Sequence, residues 1–206
     1  MKAEEYYNEI NKADMRLLSH FQKVNSVDQI PTKGTFFVLT RSTTFLGRAI
    51  QGFMRLAQWL HITKDTDHIP NHADIVCNGR AIGALEKGVA CNSVKKHFKQ
   101  KEGTEYFIIN ISANKLELRW MWMFAVSEVG KPYKYFDLIE HIKQVFTRFW
   151  YGEDSDDYIV RDKWTCYSLV ASCYEYAIDK TVFTNLSGIS PYEFCKIIDE
   201  REDLFY

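Results

Sequence analysis

Three side chains in this sequence could together carry out acyl-transfer chemistry: Cys166, His72 and Glu86. A thiol attacks a carbonyl as the thiolate, so it needs a base to take its proton and a polar group to orient that base. Cys166 lies in Trp164-Thr165-Cys166-Tyr167-Ser168-Leu169-Val170, and apolar residues at 169, 170, 173, 174 and 177 give the stripe of a buried helix. Thr165 is a good N-cap, which predicts Cys166 in the first turn. The unpaired N–H groups and the positive end of the helix dipole favour a thiolate there. The same stretch also fits a small core residue near a helix start, since free cysteine is among the most buried residue types.

His72 belongs to Asn71-His72-Ala73-Asp74-Ile75-Val76-Cys77-Asn78-Gly79-Arg80. Here 73, 75 and 77 alternate with 72, 74 and 76 as in a strand, and Asn78-Gly79 is a strong two-residue hairpin signal. A hairpin centred on that turn pairs 76 with 81 and 72 with 85, which brings Glu86 within side-chain reach of His72. Taken singly, His72 reads as a hydrogen-bonded strand-end histidine and Glu86 as a surface carboxylate.

The elements that must position these groups follow from local patterning. Residues 3–24 read as an amphipathic helix, 34–40 as a buried strand, and 43 or 44 to 60 as a second helix. After the hairpin, 92–101 reads as a short basic helix with a solvated face of Lys95, Lys96, His97, Lys99 and Lys101. A strand at 104–111 leads into a helix from 112 to 129, stopped by Gly130. Its stripe of Leu116, Leu118, Trp120, Trp122, Met123 and Phe124 is expected to pack in the core. Residues 136–150 form a further amphipathic helix, followed by the Cys166 helix to about 179. A last helix starts at Ser190-Pro191, an N-cap followed by an N1 proline.

At 206 residues with 46% hydrophobic and 15% aromatic content, the chain is expected to be one domain with a substantial core, residues 1–30 forming a helical extension. A net charge of −1 argues against a nucleic-acid partner, and no apolar run approaches the roughly 20 residues of a membrane span. Five cysteines without a CxxC pair read as reduced thiols, and the acidic N-terminus lacks a signal-peptide apolar region. A cytoplasmic protein is expected, of cellular or viral origin. His61, His68, Asp65 and Asp67 have no metal-ligand spacing, and the acidic run 153–157 is not an EF-hand loop, so no metal or cofactor is expected.

The order of the motifs resembles one family. A Gly-led strand is followed by "Asn-His-Ala-Asp-Ile-Val", "Ala-Leu-Glu-Lys-Gly-Val", "Gly-Lys-Pro-Tyr", "Cys-Tyr-Ser-Leu-Val" on a helix, and a late "Ser-Pro". This is similar to the permuted NlpC-type (YiiX-like) cysteine hydrolases of the papain-like superfamily, over residues 33–195. The resemblance implies an α+β papain-like fold, circularly permuted, with a small antiparallel sheet packed on helices. It implies a Cys166–His72–Glu86 triad and a cleft-lining Tyr133. Asn71 and Tyr167 stand where the chain departs from the family's usual residues, and are candidate contacts for substrate. The implied activity is thiol-dependent cleavage of an amide bond in a peptide or cell-wall-type substrate, peptidoglycan peptides among them. A lipid-directed thiol acyltransferase or lipase, and an inactive binding module of the same fold, are the alternative readings.

Overall fold

The computed structural model describes residues 18, 21–41, 69–85, 87–98, 103–133, 164–183, 186, 189 and 191–206. Six strands among them, β1 (Gln22–Val24), β2 (Thr35–Arg41), β3 (His72–Cys77), β4 (Arg80–Leu85), β5 (Gly88–Ser93) and β6 (Glu105–Asn110), form one antiparallel sheet in the order β1-β6-β2-β3-β4-β5. Four helices accompany it: α1 (Val94–His97), α2 (Lys115–Ser127), α3 (Cys166–Ile178) and α4 (Pro191–Glu200). The class is α+β.

The β3–β4 hairpin forms at the expected turn. Asn78 and Gly79 have φ of 47° and 78°, the positive pair that two-residue hairpin turns require. Val76 pairs with Ala81 as the turn dictates, between Ile75–Ile82 and Cys77–Arg80. The 72–85 pairing is not part of that ladder; His72 is held instead from the other side, opposite Thr40 of β2.

Strand parity splits the sheet into two apolar faces. Phe37, Leu39, Ala73, Ile75, Ile82, Ala84 and Ile109 form one core with the α3 residues Leu169, Val170, Cys173 and Tyr174. Phe36, Val38, Val76, Ala81, Tyr106 and Ile108 form the other with Val24, Val27, Val94 and Phe98. Each fully buried aliphatic or aromatic side chain here is worth about 1.5–3 kcal/mol of transfer free energy. Phe37 is an aromatic hub, its ring centroid 6.2–6.5 Å from those of Tyr174, Phe194 and Phe205.

Several elements differ from the sequence expectation. Residues 22–24, expected to end a helix, are a strand, because pairing with β6 at Ile108, Phe107 and Tyr106 outweighs their local preference. The expected basic helix of 92–101 contracts to the single turn of α1, and β5 occupies 88–93 as a sixth strand. The helix expected from 112 begins at Lys115, where Asn114 and Glu117 form a reciprocal capping box. Its expected stripe is only partly core: Leu118, Trp122 and Phe124 pack against it half-buried, but Leu116, Trp120 and Met123 are exposed; the fully buried residues of the helix are Met121 and Ala125. The expected helices at 43–60 and 136–150, residues 1–17 of the expected extension, the 61–68 histidines and the acidic run 153–157 lie outside the described residues. No described helix is long and apolar enough to cross a membrane.

Cys173 tests the α3 packing. It is fully buried in the apolar face, and burial pushes its thiol far above the ordinary range. Cys173→Ser places an unpartnered hydroxyl there and should lower unfolding free energy by about 1–3 kcal/mol in urea titration. An unchanged midpoint would show that this face is not packed as described.

Candidate active site

Thr165 caps α3 as its position in the sequence requires. Its side-chain oxygen accepts from the Ser168 N–H at 3.2 Å, and its own backbone N–H donates to Ser168 Oγ at 3.0 Å. Cys166 is therefore the first helical residue, where N–H groups have no intrahelical acceptor. The Cys166 side chain is buried, the residue only 3% exposed.

α3 lies across β3 and β4, which brings its start to the beginning of β3. One hydrogen bond fixes that approach: the Tyr167 hydroxyl donates to the Pro70 carbonyl at 2.6 Å, two residues before His72. Tyr167, expected from the sequence as a substrate contact, thus spends its hydroxyl on this bond. Its ring is 2% exposed and stands edge-on to Phe194 at 5.1 Å, and burial pushes its phenol well above the ordinary range. Asn71 is likewise buried, at 2% exposure, with its backbone N–H on the Thr40 carbonyl at 2.9 Å. Tyr133 pairs its backbone with Trp164, and Trp164 N–H donates to the Pro132 carbonyl at 3.3 Å, so this segment runs beside the approach to Cys166.

His72 stands where the two layers meet. Its side chain is 23% exposed, and Nε2 lies 3.0 Å from Asp74 Oδ1. Burial alone would lower the imidazole pKa. The charge of Asp74, the charge of Cys166 and hydrogen bonds with both outweigh that, and hold it well above its ordinary 6.5. With Nε2 committed to Asp74, Nδ1 is the ring atom left for the sulfur.

Asp74 was not singled out by sequence reasoning, although its signal was present: two residues from His72 on one strand, it must share its face. Glu86, the expected orienting carboxylate, lies outside the described residues. Asp74 is wholly buried. Burial would raise its carboxyl, but the charges of His72 and His97 and hydrogen bonds from both hold it far below the usual carboxylate range. His97 Nε2 is 2.8 Å from the same Oδ1, and its side chain is 1% exposed. His97 thereby departs from the solvated face expected for Lys95, Lys96, His97, Lys99 and Lys101; Lys95 and Lys96 are exposed as expected, Lys95 on Asp28 at 2.8 Å, and Lys99 and Lys101 lie outside the described residues. Gly83 on β4 makes room for the carboxylate. A methyl group built there would lie 1.7 Å from Asp74 Oδ1 and 3.3 Å from His97 Nε2.

No family model matches the chain, and neither does any curated protein or solved structure.

Two outcomes follow from this geometry. Gly83→Ala must expel or rotate the Asp74 carboxylate, and should cost about 3 kcal/mol of stability by urea titration, against well under 1 kcal/mol for an accommodated methyl group. The second concerns pH. His72, with its folded pKa raised, contributes stability that is complete below 6.5 and lost as pH rises through the folded value. Asp74, with its folded pKa depressed, contributes stability that is complete above 3.8 and lost as pH falls through the folded value. The stability difference between wild type and Asp74→Asn should therefore peak between 3.8 and 6.5 and shrink above 6.5. A difference that stays flat across that range and up to pH of about 9 would show that no ion pair links the two groups.

Proposed function

We propose that this protein is a cysteine-dependent hydrolase that cleaves amide bonds, with a permuted papain-like arrangement in which the histidine strand precedes the cysteine helix. The observation that carries the reading is His72, whose imidazole faces a helix-start thiol with one side and a buried carboxylate with the other. Separate structural explanations exist for a capped cysteine and for a strand-end histidine. Neither explains why the two meet, with a charged group that the fold must bury to hold the ring.

His72 takes the Cys166 proton, giving a thiolate and an imidazolium that Asp74 stabilises. The sulfur attacks the carbonyl carbon, and the C=O electron pair moves onto oxygen. The backbone N–H of Cys166, in the first turn of α3, donates to that oxyanion. His72 returns its proton to the leaving nitrogen, the C–N bond breaks, and an amine departs from a thioester. Water, deprotonated by His72, attacks the thioester, and the C–S bond breaks to release the carboxylate and the thiol. Tyr133, whose backbone pairs with Trp164 two residues before Cys166, is the proposed substrate contact, and a peptide or cell-wall peptide is the proposed class.

The test joins labelling to turnover. Iodoacetamide should modify Cys166 faster than Cys77, Cys91, Cys173 or Cys195, and His72→Ala should remove that preference. Cys166→Ser should lower hydrolysis of peptide amides by about 10^3-fold or more while leaving the melting temperature nearly unchanged. Equal labelling of Cys166 and Cys91, with Cys166→Ser destabilising the fold as much as Cys173→Ser, would make Cys166 a core residue. The binding-module reading would then replace the enzyme.

A further inference from the structure

The His97 ring is a costly thing for this fold to bury. Its side chain is almost fully enclosed, and among the described residues its Nδ1 has no hydrogen-bond partner and its one polar contact is Nε2 on Asp74 Oδ1. An orphaned buried polar atom is destabilising, so the arrangement persists because something else fixes it. Several independent contacts do. The Val94 N–H donates to the Gly79 carbonyl at 2.9 Å, which ties α1 to the hairpin turn. The His97 ring packs edge-on to Phe98 at 5.0 Å, and Phe98 packs edge-on to Tyr106 at 5.7 Å. Gly83 supplies the gap in which carboxylate and ring meet.

Asp74 Oδ1 therefore accepts from two imidazoles, while Oδ2 is buried with no partner among the described residues. A short carboxylate held on one oxygen by a single donor could rotate about its Cβ–Cγ bond and still satisfy that donor. Two donors converging on one oxygen from different elements, β3 and α1, leave one orientation. Facing a carboxylate oxygen, Nε2 of His97 carries a proton, so His97 serves Asp74 as a fixed donor.

We propose that His97 is a positioning residue: as a second donor on Asp74 Oδ1, it fixes the carboxylate and through it the orientation of the His72 ring toward Cys166. The proposal rests on the hydrolase reading and extends the chain of contacts to Cys166–His72–Asp74–His97. Other titratable groups facing this chain are Tyr167 on α3 and Tyr106 on β6, both of whose phenols are pushed up, first by burial and then in part by the Asp74 charge.

The test is the pH profile of Cys166 alkylation by iodoacetamide, read by peptide mass, in wild type, His97→Phe and His97→Gln. Phenylalanine fills the site without a donor; glutamine carries an amide N–H that can reach the same oxygen. His97→Phe should slow alkylation near neutral pH by about tenfold and move the profile to higher pH by about one unit, as expected for the loss of one well-placed hydrogen bond to a charged group. His97→Gln should recover the rate to within about threefold. If His97→Phe lowers only the melting temperature and leaves the profile in place, or if His97→Gln is as slow as His97→Phe, the positioning role is overturned. The hydrolase reading fails separately, in the wild type alone, if Cys166 reacts no faster than Cys91.

Discussion

A single carboxylate with no access to water sets the terms for this structure. Burying Asp74 unpaired would cost several kcal/mol, and the charge is tolerated only because donors are brought to it. That requirement explains features that otherwise look unrelated. It accounts for a strand starting with histidine two residues before the aspartate, and for a glycine facing the carboxylate from the neighbouring strand. It also accounts for a one-turn helix whose last residue turns its ring inward instead of toward solvent. Remove the carboxylate and none of the three has a reason to be where it is.

The thiol half of the site is held by different forces. α3 joins the sheet through apolar packing and one phenol-to-carbonyl hydrogen bond, from Tyr167 to Pro70. The aromatic hub around Phe37 sets the height of the helix over the sheet, and the Thr165–Ser168 cap sets where its first residue falls. Dispersion and burial have no direction, so the specific contacts at the start of the helix must supply the alignment.

How much of this could be read in the amino-acid string depended on the range of the deciding interaction. The hairpin at Asn78-Gly79 with its 76–81 register and the Thr165 cap are written in neighbouring residues, and both form where expected, whereas the helix expected to run to Val129 ends at Ser127. Elements settled by distant partners were misread. The strand at 22–24 exists through β6, more than eighty residues on, and the outward apolar side of α2 depends on which of its faces α3 occupies. His97 sits among lysines, and only the buried carboxylate behind it shows that it faces inward. Asp74 is legible too: the hairpin register points to Glu86, but the simpler two-residue period of β3 puts a carboxylate on the same face as His72.

His72 and Asp74 share one strand that is hydrogen-bonded on both sides, to β2 and to β4, whereas Cys166 arrives on a helix that no backbone ladder among the described residues joins to the sheet. Warming such an assembly loosens its parts unequally, because local opening begins where an element is held mainly by side-chain contacts. The start of α3 would part from β3 while the sheet still holds. Contact between Cys166 and His72 would then be lost as a reversible, sub-global opening at temperatures where the ellipticity of the sheet has not yet changed.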